Sequence, residues 1–135
     1  MSDPIEDVEG IGPAYATKLR AVGIASTGKL LERAGTAKGR DALADETGIS
    51  GKLILTWANM ADLMRISGVG GQFAELLVAA GVDTVKELRT RNAANLAAKM
   101  EAVNAERQLT KGSVTEAKVQ GWIDQAKTME PAISH

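Results

Sequence analysis

Two stretches decide the reading of this chain. Residues 8–30 read VEGIGPAYATKLRAVGIASTGKL, and residues 66–88 read ISGVGGQFAELLVAAGVDTVKEL. At a constant offset of 58, seven of 23 positions are identical: Gly10/Gly68, Gly12/Gly70, Ala16/Ala74, Leu19/Leu77, Ala21/Ala79, Gly23/Gly81 and Leu30/Leu88. Val8/Ile66, Ile11/Val69, Tyr15/Phe73, Ile24/Val82 and Ser26/Thr84 are close exchanges. Glycines, aromatics and leucines all keep register, which marks an internal repeat. The likeness resumes at an offset of 65, where Gly48-Ile49-Ser50 and Trp57 correspond to Ser113-Val114-Thr115 and Trp122. The second copy therefore carries about seven extra residues, placed within 99–112.

Each copy opens with a Gly-apolar-Gly turn. Glycine takes positive φ without steric cost, so the chain can reverse while the apolar residue between points inward. Pro13 suits the first turn of a helix. Ala16, Leu19 and Val22 then share one helical face, and Gly23 stands where a helix ends. Ser26 or Thr27 is placed to cap the next helix, as is Asp83 or Thr84 in the second copy. Residues 36–46 and 92–107 read as further helices. Ser50 caps a long one carrying Leu53, Trp57, Met60 and Met64 on one face. No Gly or Pro interrupts residues 52–66, so that helix is expected to run on into the second copy. Residues 115–129 mirror it, with Val119, Trp122, Ile123 and Ala126 inward.

No strand or hairpin signal appears, so the expected class is all-α. The pattern predicts two tandem helix-hairpin-helix-like repeats, 1–60 and 61–129, packed as one compact body and joined by a long shared helix. Residues 130–135 are expected as a flexible tail. At 135 residues the chain is long enough to bury a core without staples.

Composition bounds the chemistry. The chain has no Cys, and its one His is the terminal His135. Disulfides, thiol chemistry, multi-His metal sites and a Ser-His-Asp triad therefore have no material. No phosphate loop of the GxxxxGK[ST] type appears. No enzyme, cofactor, metal or small-molecule substrate is expected. Asp41, Asp45 and Glu46 read as a solvated helix face. The acidic N-terminus is unlike a targeting signal, and no apolar run approaches a membrane span, so a cytoplasmic protein is expected. Lys plus Arg number 16 against 17 Asp plus Glu. Residues 1–60 hold 7 basic and 8 acidic side chains, and 61–135 hold 9 of each. Neither half is a basic domain hidden by an acidic one.

A helix-hairpin-helix turn has a physical use. It exposes backbone N–H groups at a helix start, where the helix dipole is positive and a duplex phosphate can dock without sequence being read. The expected function is weak, sequence-independent binding of double-stranded DNA. The candidate residues are Gly10, Gly12, Ala14, Lys18 and Arg20 in the first copy, and Gly68, Gly70, Gln72 and Lys86 in the second. Glu6, Asp7 and Glu9 crowd the first turn and Glu75 follows the second, which opposes a phosphate. The alternative is a protein-interaction or self-associating scaffold module whose turns are structural. Trp57 and Trp122, at matching places, read as core anchors and not as base-stacking platforms, and Tyr15 and Phe73 likewise as packing residues.

Several runs resemble one family: Ala61-Asp62-Leu63-Met64-Arg65-Ile66-Ser67-Gly68-Val69-Gly70, Ala74-Glu75-Leu76-Leu77, Ala80-Gly81-Val82-Asp83-Thr84-Val85-Lys86-Glu87-Leu88, Val103-Asn104 and Trp122-Ile123-Asp124-Gln125-Ala126-Lys127. They look like domain-of-unknown-function family 4332, and residues 5–57 resemble its N-terminal part. The resemblance spans about residues 4–129. It implies a tandem helix-hairpin-helix fold and says little of activity. A more distant likeness, carried by the Leu19–Leu30 pattern, is to the C-terminal domain of the bacterial RNA polymerase α subunit, an analogy of fold alone.

Overall fold

The computed structural model describes residues 2–135. Met1, the first residue of the expected 1–60 unit, lies outside the described residues. Helices are the regular elements of the described residues, apart from an isolated bridge between Pro4 and Ser26. A short 3-10 turn, Ile5–Asp7, leads into α1 (Pro13–Ala21), α2 (Thr27–Ala34), α3 (Ala37–Thr47) and α4 (Gly51–Leu63). The second half holds α5 (Gly71–Ala79), α6 (Val85–Leu88), α7 (Ala93–Arg107) and α8 (Glu116–Ala126). No helix is long and apolar enough to cross a membrane among the described residues.

Local chemistry explains most of these boundaries. The side chains of Ser26, Thr36, Ser50, Thr84, Asn92 and Thr115 each accept a hydrogen bond from a backbone N–H in the first turn of the following helix. Each satisfies a donor that the helix itself cannot pair. Between the alternatives left open, the caps are Ser26 and Thr84; Thr27 instead starts α2. The extra length of the second half lies in α7, with 15 residues against 11 in α3, and in the loop after it. That loop is held by Asn104, whose Nδ2 donates to Thr110 O and whose Oδ1 accepts from Thr110 N–H, both at 3.0 Å.

The apolar side chains of both halves form a single cluster. α4 lies at its centre, packing on α2 and α3 on one side and on α5 on the other. It runs past residue 60 into the second copy but stops short of residue 66. It ends at Leu63, and Arg65 N–H and Ile66 N–H turn back onto Asp62 O and Leu63 O. Tertiary contacts stop it without Gly or Pro. Ile66 is buried in the second half's core, while the buried Asp62 carboxylate binds Arg65 and accepts Val85 N–H at 2.9 Å.

The closing residues also differ from expectation. The segment 130–135 was expected as a flexible tail, but Glu130 O accepts from Arg65 and the residues after it dock on the first half. Ile133 is buried, Ser134 N–H donates to Gly35 O at 2.8 Å, and Arg40 Nη2 donates to Ser134 O at 2.7 Å. Arg40 is itself buried, and its other terminal nitrogen donates to Ala34 O at 3.0 Å. A guanidinium satisfied by carbonyls thus ties the last residues to α2 and α3.

Candidate nucleic-acid interface

The two turns share a construction. In each, the first glycine takes positive φ, +95° at Gly10 and +93° at Gly68. Each is also pressed against a tryptophan. A Cβ on Gly10 would lie 3.3 Å from Trp57 Nε1, and one on Gly68 would lie 3.2 Å from Trp122 Nε1. The residues between the glycines, Ile11 and Val69, are buried. The second glycines do not share this conformation. Gly12 and Gly70 have negative φ and extended backbone, and a Cβ on either would meet nothing within 4 Å. They stand open at the N-cap positions of α1 and α5.

Both tryptophans are buried core anchors, 2% and 3% exposed. Tyr15 meets Trp57 edge-on at 4.9 Å between ring centroids, and Phe73 meets Trp122 at 5.2 Å. Neither tryptophan presents a face to a base.

α1 and α5 are set apart from the other helices by their N-termini. Neither has a side-chain cap, whereas the other six α-helices each have one. The first intrahelical bonds run from Ala16 N–H to Gly12 O and from Ala74 N–H to Gly70 O, both 2.9 Å. The N–H groups of Ala14 and Tyr15, and those of Gly71, Gln72 and Phe73, precede these bonds and have no intrahelical acceptor. Pro13 has no N–H, so the first turn offers fewer donors than the second.

The two turns also lie beside each other. A Cβ on Gly71 would collide with the Asp7 carbonyl oxygen, so the start of α5 rests directly on the backbone entering the first turn. Next to this contact is a cleft of about 560 Å³, lined by the second turn together with Asp3, Asp7 and Arg65. The side-chain amide of Gln125 bolts α8 to the second turn. It accepts Ser67 N–H at 3.0 Å and donates to Ser67 O at 3.2 Å.

The side-chain candidates divide. Lys18 and Gln72 are exposed near their turns, and Lys18 makes no ion pair among the described residues. Arg20 is engaged: its Nε and Nη2 donate to the two Glu6 carboxylate oxygens at 3.2 and 2.6 Å. That forked bond holds the Glu6 carboxyl below the usual carboxylate range and raises Arg20 above its own. Lys86 borders a different cleft, formed by Thr36 and residues 131–135, and does not line the one at the second turn. Around the turns stand Asp7, Glu9 and Glu75. Burial and the neighbouring Glu9 push the Glu75 carboxyl up, and Arg107 pulls it partly back.

Two cations near the second turn escaped the sequence reading. Arg65 lines the cleft but is bound to Asp62 and to Glu130 O. Lys118 sits 5.2 Å from the Phe73 ring centroid and donates to Ser113 O at 2.9 Å. Both depend on contacts between residues far apart in sequence, or across the long second-half loop, which no local motif reports. Among the described residues no group of three or more Asp, Glu, His or Cys side chains could hold a metal ion.

A family model described as a domain of unknown function, DUF4332, matches residues 9–129. The chain belongs to this family. The match takes in both Gly-x-Gly turns and every α-helix. Neither a curated protein nor a solved structure matches the chain.

Proposed function

We propose that this chain is a non-enzymatic helix-hairpin-helix module that binds duplex DNA weakly and without sequence preference. Backbone N–H groups at the starts of α1 and α5 would hold phosphates, with Lys18 in support. One observation carries the reading: the two helices that follow Gly-x-Gly turns are the two left without a side-chain cap, and their N-cap glycines stand open. A helix start carries roughly half a positive charge, and uncapped donors there suit an anion. Glu6 on Arg20 and the carboxylates of Asp7, Glu9 and Glu75 keep the affinity low.

The test is anisotropy of a labelled short duplex at low salt. Contact with two or three phosphates gives a loss of roughly 10- to 40-fold between 50 and 200 mM salt. Gly12→Glu and Gly70→Glu place a carboxylate at the phosphate position without touching the core and should abolish binding. Glu6→Gln should tighten it by releasing Arg20, and Lys86→Ala should leave it unchanged. Absence of binding at low salt, or glutamate variants that bind like the parent, would sink the reading. The acidic surroundings of the turns favour the second reading, an interaction or self-associating scaffold module in which the turns are packing devices; light scattering tests its self-association.

A further inference from the structure

The two halves present different surfaces at equivalent positions. At the offset of 65, Leu53 on α4 corresponds to Lys118 on α8, and Met60 corresponds to Gln125. In the second half this face is closed by polar groups: Lys118 lies over Phe73, and Gln125 binds both backbone groups of Ser67. In the first half no such polar groups close it: Met60 is buried and Leu53 stands at the surface. Leu53 is 36% exposed, the one exposed large apolar side chain among the described residues. Glu9, the counterpart of Ser67, has neither its N–H nor its C=O hydrogen-bonded among the described residues. The fold accepts a lysine at position 118, so the helix does not need an exposed leucine at 53.

Leu53 and Glu9 meet in a groove of about 310 Å³ between α4 and α5. Met60 and Val78 add to its apolar lining, and Glu9, Glu75 and Arg107 supply its charge. Two carboxylates close enough to repel face one cation, and none of the three forms an ion pair among the described residues. The missing component is positive charge next to an apolar group.

We propose that this groove docks a segment of a partner protein in which an apolar side chain is flanked by lysine or arginine. The apolar side chain packs on Leu53, Met60 and Val78. The cation sits between Glu9 and Glu75, and an amide of the segment pairs with the Glu9 backbone as Gln125 does with Ser67. The groove borders the first turn through Glu9 and Gly10, but Leu53 on α4 is not among the residues proposed to hold phosphate, so Leu53→Gln separates this docking from DNA binding.

The test uses the full chain and two short labelled peptides, one alternating lysine with leucine and one alternating glutamate with leucine. The lysine peptide should bind and the glutamate peptide should not. Leu53→Gln and Glu75→Gln should each weaken the lysine peptide roughly tenfold. Thermal melts of both variants confirm that the fold is retained, and anisotropy of the duplex probe should be unaffected by Leu53→Gln. Equal binding of both peptides, or either variant binding like the parent, overturns the proposal. So does light scattering that shows self-association abolished by Leu53→Gln, because the occupant would then be a second copy of this chain.

Discussion

Gly10 and Gly12 are alike in sequence and opposite in structural duty, and alanine substitution separates them. At Gly10 two costs combine. An alanine at φ +95° occupies backbone space that L-residues rarely adopt, a strain of about 1–3 kcal/mol. Its Cβ would also lie 3.3 Å from Trp57 Nε1, so the buried indole must shift against Tyr15. Gly68 repeats both terms at φ +93° and 3.2 Å from Trp122 Nε1. Gly12 and Gly70 carry neither, since their φ is ordinary and their Cβ positions are empty. Gly10→Ala and Gly68→Ala should therefore each lose about 2–3 kcal/mol, and Gly12→Ala and Gly70→Ala less than about 0.5 kcal/mol. Urea unfolding followed by tryptophan fluorescence and by circular dichroism measures both groups. In a chain of this size each kcal/mol corresponds to roughly 3–6 °C in Tm. A Gly10→Ala variant as stable as the parent, or a Gly12→Ala variant as damaged as Gly10→Ala, would refute this division of roles. The same asymmetry makes Gly12 and Gly70 the right positions for testing phosphate contact, because substitutions there leave the fold alone.

Three further outcomes follow from the packing. Asp62→Ala removes a buried carboxylate that binds Arg65 and Val85 N–H, and should cost about 3–5 kcal/mol in chemical denaturation. Arg40→Met leaves Ala34 O and Ser134 O without their donor, and should cost about 1–3 kcal/mol; faster amide exchange at Ser134 would show release of the closing segment. Glu75 has its folded pKa above its ordinary value of 4.5, so its ionised form opposes folding at neutral pH and the penalty vanishes below that value. Solvent screening at this partly exposed site keeps the effect small, so Glu75→Gln should stabilise by well under about 1 kcal/mol at pH 7 and by nothing near pH 3, read from paired thermal melts.

Much of the helical frame was legible because its signals are local. Ser50, Thr36, Asn92 and Thr115 cap helices within one turn of their own positions, and Pro13 and Gly23 bracket α1 for reasons of φ alone. The matched tryptophans could be placed in the core from helical periodicity. The candidate site was legible only in outline. Arg20 looked free because its partner Glu6 stands fourteen residues earlier, beyond any helical neighbour rule. Lys86 follows the second turn in sequence but borders the cleft of the closing residues. Lys118 reaches Phe73 only once the loop after α7 has folded over it.

By itself the sequence determined the all-helical class, the two similar turns, the apolar faces and the lack of any thiol. These follow from side-chain identity, from backbone preference and from hydrogen bonds that close within a few residues. Tertiary structure alone decided where α4 stops, which glycine of each turn is obligatory, which cations are spent on internal partners, and that residues 131–135 dock on the first half. Each of those outcomes depends on what a distant segment places opposite the residue: an indole behind Gly10, a backbone N–H against Asp62, a buried guanidinium reaching Ser134. Such contacts exist only after the chain has folded back on itself.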